Sequence, residues 1–67
     1  MSLRELRQSI GLSQASLAKE LGISKTAISY IETGRRRLPF SIALRLIIFF
    51  GGKGIKLSID DIYKSLP

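Results

Sequence analysis

The sequence predicts an all-α fold, a compact bundle of about five short helices. Three observations carry that prediction. Serines stand just ahead of stretches whose apolar residues recur every three or four positions, as capped amphipathic helices require. Gly11, Gly22 and Gly34 close the first three of those stretches. The chain has 67 residues, enough for one domain with one small core.

The elements follow in order. Ser2 and Glu5 make a capping box, in which the serine oxygen takes an orphan amide and the glutamate reaches back. Leu3, Leu6 and Ile10 face inward, and Gly11 ends helix 1. Ser13 caps helix 2, with Leu17, Ala18 and Leu21 inward, and Gly22 ends it. Ser24 caps helix 3, with Ile28 and Ile31 inward, and Gly34 ends it. Pro39 suits the start of helix 4, where its missing amide hydrogen costs nothing. Helix 4 is expected to run to about Phe50 and to stop at Gly51 and Gly52, burying Leu44, Ile47 and Phe50 with Phe40 and Ala43. The tail carries two signals. Ile55, Leu57 and Ile59 alternate like a short strand, whereas Ser58 followed by Asp60 and Asp61 opens a helix with acids matched to its dipole. A fifth helix from about Ile59 to Ser65 is the favoured reading.

Composition narrows the function. The chain has no cysteine and no histidine, and only five acids, which leaves no thiolate, imidazole base or usual zinc ligand. No enzyme, metal, cofactor or small-molecule ligand is expected. Asp60 and Asp61 are better explained by the helix dipole than by a metal. The N-terminus lacks the apolar region of a signal peptide, and the longest apolar run, Leu46 to Phe50, falls far short of the ~20 residues that span a bilayer. A cytoplasmic protein without a membrane role is expected. The net charge is +6 and the pI about 10.4, a balance that points to an anionic partner. The charge is concentrated. Residues 1–45 hold eight basic residues against three acids, a net +5, while residues 46–67 carry only a net +1. Three adjacent arginines, Arg35, Arg36 and Arg37, follow helix 3. Their mutual repulsion is offset where phosphates replace counterions.

Helices 2 and 3 carry a recognisable unit. Two helices crossing steeply through a turn of three or four residues need a small residue at the crossing, a glycine at the turn and an apolar plug at the corner. Ala18, Gly22 and Ile23 occupy those places, and Leu17, Leu21, Ile28 and Ile31 supply the shared core. All seven positions agree with a helix-turn-helix.

Ser13-Gln14, Leu17-Ala18, Leu21-Gly22-Ile23-Ser24, Ile28-Ser29, Ile31-Glu32 and Gly34 closely resemble the Cro and phage-repressor (xenobiotic-response-element) helix-turn-helix family. The resemblance is strongest over residues 3–50, leaving 51–67 as a tail. It implies a lambda-repressor-like bundle forming a single DNA-binding domain over residues 1–67. It also implies a transcriptional regulator, acting as a repressor and a homodimer on a palindromic operator in double-stranded DNA. A prokaryotic, phage or plasmid origin goes with it. Three features depart from the family pattern. The outer face of helix 4, usually polar, is Ile48-Phe49; Gly52 to Lys56 looks like an insertion; and the chain stops soon afterwards, so no ligand or protease domain is expected.

Helix 3 is the element expected in the major groove. Ser24, Lys25, Thr26, Ser29 and Tyr30 lie on its face away from Ile28 and Ile31. The resemblance assigns base contacts to Lys25, Thr26, Ser29 and Tyr30. It places Gln14, at the start of helix 2, on a backbone phosphate. Arg35, Arg36 and Arg37 are expected to hold phosphates beside the groove, and Ser24 to cap the helix with at best a phosphate contact. The resemblance also pairs Arg7 with Glu32 as a structural ion pair. Ile48, Phe49, Ile55, Leu57 and Ile62 are surplus apolar residues and the expected dimer interface, unless the tail folds over helix 4 within one chain. Two other readings compete with DNA binding: a protein-interaction module such as an antitoxin or coactivator, and a membrane-surface binder using the arginines and helix 4.

Overall fold

The computed structural model describes residues 2–67; Met1 lies outside the described residues. Five helices follow one another: α1 (Leu3–Ser9), α2 (Gln14–Leu21), α3 (Lys25–Glu32), α4 (Phe40–Gly52) and α5 (Ile59–Lys64). Among the described residues there is no strand. Residues 55–57 are irregular, and α5 takes up the helical signal of the tail.

Local chemistry accounts for the starts. At α1 the Ser2 hydroxyl accepts the Glu5 amide at 3.1 Å while the Glu5 carboxylate accepts the Ser2 amide at 3.0 Å. Ser58 and Asp61 repeat this box at α5, at 3.1 and 2.9 Å. Both carboxyls are held below their ordinary range, chiefly by the bond from the serine amide and next by the serine hydroxyl. Ser13 and Ser24 cap α2 and α3 through the amides of Ser16 and Ala27, each at 3.0 Å.

One core joins all five helices. Leu3 and Leu6 enter it from α1, Leu17, Ala18 and Leu21 from α2, and Ile28 and Ile31 from α3. Ala43, Leu46 and Phe50 of α4 and Ile62 of α5 complete it, with Leu38 from the loop between α3 and α4. At Gly22 the chain takes φ +70°, and the turn from α2 into α3 follows.

The fourth helix differs from expectation in three ways. Pro39 is its cap residue, outside the helix, and no side-chain bond caps this end. Gly51 and Gly52 are its last two residues, and the left-handed turn falls at Gly54, φ +84°. There the Ile55 amide reaches back to the Phe50 carbonyl at 2.9 Å, closing the helix. The buried face is Ala43, Leu46 and Phe50, with Ile42, Ile47 and Phe49 partly covered. Leu44 and Phe40, expected inside, are 42% and 59% exposed. Among the described residues no helix is long and apolar enough to cross a membrane.

Candidate nucleic-acid interface

The outer face of α3 is assembled by what the inner face must bury. Ala27, Ile28 and Ile31 are buried, which turns Lys25, Thr26 and Tyr30 outward and leaves Ser29 half-buried between them. The Ser24 hydroxyl oxygen is occupied as the cap, so only its proton is available to a phosphate. Lys25 and Thr26 occupy the first turn and present an ammonium and a hydroxyl donor there. Tyr30, 39% exposed, carries the Arg35 guanidinium over its ring at 5.7 Å from the centroid.

The end of α3 shapes the arginine loop. The Tyr30 carbonyl accepts both the Arg35 amide at 2.8 Å and the Arg36 amide at 3.1 Å. Arg35, Arg36 and Arg37 are exposed, and Leu38 then drives its side chain into the core. The loop is thus anchored at both ends, with its cationic middle in solvent. None of the three arginines forms a salt bridge with a carboxylate among the described residues.

A buried network fixes α3 to the first two helices. Arg7 Nε donates to Glu32 Oε2 at 2.7 Å and Arg7 Nη2 to Oε1 at 3.2 Å. Arg7 Nη1 donates to the Leu12 carbonyl at 2.8 Å. Gln14 Nε2 donates to Glu32 Oε1 at 3.0 Å. The two ion-pair side chains are 8% and 3% exposed, so Arg7 is spent inside the fold and offers nothing to an outside anion. Gln14 is half-buried and shares this network, which leaves its carbonyl, its second amide hydrogen and the helix N-terminus for an outside partner.

The apolar candidates do not behave alike. Ile48 is 75% exposed. Phe49 is half-buried, edge-on to Phe50 with centroids 5.6 Å apart, and Lys53 lies over its ring. Ile55 and Leu57 pack partly against the core. Ile62 is fully buried and must be removed from the expected interface: it seals the core where α5 lies on α4. The exposed apolar line on α4 is Phe40, Leu44 and Ile48, spaced by four residues.

Two long-range supports leave no clear mark in the sequence. Arg45 Nη1 donates to the Leu21 carbonyl at 2.9 Å, satisfying an end of α2 beside the Gly22 turn. Tyr63 donates its hydroxyl to the Leu38 carbonyl at 3.2 Å. Both span more than 20 residues, beyond any local spacing rule.

A short helix with a polar outer face, a buried ion pair behind it and a cationic loop at its exit together define a helix-turn-helix unit with an electropositive edge. The helix-turn-helix family model of the Cro/C1 type matches residues 3–57, and the chain belongs to that family of DNA-binding regulators. No curated protein and no solved structure gives a significant match.

Proposed function

We propose that this protein is a cytoplasmic, sequence-specific regulator of transcription that represses as a homodimer on a palindromic operator. The observation that carries this reading is the outer face of α3. Lys25, Thr26, Ser29 and Tyr30 lie along it with no acid among them, and the free arginines 35–37 continue it. A major groove admits one such helix, and a lysine donates there to guanine while a threonine methyl meets thymine. Arg35, Arg36, Arg37 and Gln14 then hold phosphates, which fixes register without reading sequence.

Dimerisation supplies the information one helix lacks. Four short side chains read only a few base pairs. The molecule's longest dimension is 26 Å, so two copies fit side by side on half-sites about 34 Å apart. The exposed line Phe40, Leu44 and Ile48 supports a contact between copies, to which the half-buried Phe49, Ile55 and Leu57 would add. The same line gives a protein-interaction module its one supporting observation.

Selection of bound sites from a random duplex pool tests the reading. A palindromic consensus whose binding falls steeply with salt is the expected result, with sedimentation showing two copies per site. Binding without sequence preference would leave only the electrostatic part, and no binding at any salt would favour the protein-partner reading.

A further inference from the structure

The arginine loop is held at its start by the Tyr30 carbonyl of α3 and at its end from outside the helix-turn-helix. Leu38 ends the loop, its side chain buried and its carbonyl accepting the Tyr63 hydroxyl of α5 at 3.2 Å. At the other end, a Cβ on Gly34 would meet Pro67 at 3.3 Å, so the tail lies against the first residue of the loop as well. Arg36, Arg37, Leu38 and Tyr63 line one open cleft of about 300 Å³. Among the described residues, the side chains of the three arginines between those two anchors have no partner that sets their direction apart from the stacking of Arg35 on Tyr30. Whatever fixes the loop backbone therefore fixes where the charges point.

We infer that Tyr63 is a positioning residue for the DNA backbone: its bond to the Leu38 carbonyl holds Arg36 and Arg37 toward the phosphates. The inference rests on the phosphate role given to those arginines above. Tyr63 touches no nucleic acid in this scheme. It acts by reducing the ordering that the loop must undergo on binding, which otherwise weakens the complex. The tail, outside the recognisable motif, thereby contributes to affinity and not to base preference.

Tyr63→Phe removes the hydroxyl and keeps the ring. Its affinity for random duplex is expected to fall about threefold to tenfold, the range of one lost hydrogen bond. Its selected consensus should match that of the unchanged protein. In an Arg36→Ala, Arg37→Ala background the same change should cost nothing, because Tyr63 acts only through those side chains. Equal affinity of Tyr63→Phe and the unchanged protein would overturn the inference. So would an equal loss with and without the arginines, the result of a merely structural role. Should Tyr63→Phe not fold, Pro67→Gly loosens the loop from the tail side and is read through the same cycle, with the same two overturning results. An unchanged protein that binds no duplex at all refutes the DNA reading itself and is told apart at the first measurement.

Discussion

The pair α2–α3 and the pair α4–α5 bury comparable apolar side chains, yet they are specified in different ways. In α2 and α3 every polar residue excludes a face. Ser13 and Ser24 set the starts, Gly22 the turn, and Glu32 gathers Arg7 and Gln14 from two other segments. In α4 almost nothing is excluded. Only Ser41 and Arg45 interrupt eleven residues from Phe40 to Phe50, and no side chain caps its start. A helix that is apolar nearly all round takes its buried face from its neighbours, not from its own pattern. Orientation is thus written into the α2–α3 half and left to packing in the other.

Removing the polar specification should therefore be among the most damaging changes in the molecule. Glu32→Ala leaves the Arg7 guanidinium buried with only the Leu12 carbonyl and strips Gln14 of its acceptor. Breaking a buried pair this way costs about 3–5 kcal/mol, most of what a domain of this size holds. Denaturant unfolding followed by circular dichroism should show a midpoint moved far toward zero denaturant. On α4, Ile48→Ser should shift stability by less than about 0.5 kcal/mol, as surface changes do. An Ile48 variant that unfolded while Glu32→Ala stayed intact would reverse the comparison.

Within α4 the comparison sharpens between two faces. Phe50→Ala empties a fully buried site and should cost about 3–5 kcal/mol. Leu44→Ala, on the exposed line, should cost only a small fraction of that. Similar losses at the two positions would mean that the helix is rotated toward the face its sequence suggests.

That face is where the sequence was least legible. The capped starts, the five helices and the Ala18–Gly22–Ile23 corner follow from rules that act within four or five residues. The placement of Leu44 outside and Leu46 inside does not, because all the apolar residues of α4 suit either face. Ile62 looked surplus for a related reason: whether a tail residue is core depends on where α5 lands. Leu38, Arg45 and Tyr63 were invisible as supports, since each acts on a backbone or core group far along the chain. The DNA-facing candidates were the easier part. Exposed polar residues on a well-patterned helix need only the inner face to be known.

A smaller effect is expected at the recognition face. Lys25→Ala should cost about 1–3 kcal/mol on the preferred site and relax one base position. Arg36→Ala should weaken all duplexes alike and make the slope of log K against log salt shallower by about 0.9 per copy bound, about 1.8 for a dimer. A Lys25 change that lowered affinity uniformly, or an Arg36 change that altered base preference, would exchange the two roles.

The smallest expected effect separates the caps of the two halves. Glu5 and Asp61 complete the boxes at α1 and α5, and their bonds to Ser2 and Ser58 favour the charged carboxylates, so both titrate below their ordinary range. The folded state therefore binds these protons more weakly than the unfolded chain does. Their contribution is fully present above the ordinary carboxylate range and is lost as the pH falls through the lowered values. The caps of α2 and α3 have Ser16 and Ala27 at the corresponding position and carry no such acid. In a Glu5→Gln, Asp61→Asn variant the boxes no longer depend on protonation. The protection of the Ser58 amide against hydrogen exchange, relative to its intrinsic rate, should fall as the unchanged protein is acidified below about pH 4, and should do so much less in the variant. Taking the difference between the two proteins cancels every other acid. Both carboxyls are exposed, so the shift in melting midpoint should be slight, and the exchange of the Ser16 and Ala27 amides should differ little between the two. A variant that altered those two amides as strongly as Ser58 would mean that the ends of α1 and α5 and the helix-turn-helix unfold as one unit, and the contrast between the halves would then be one of specification without being one of local stability.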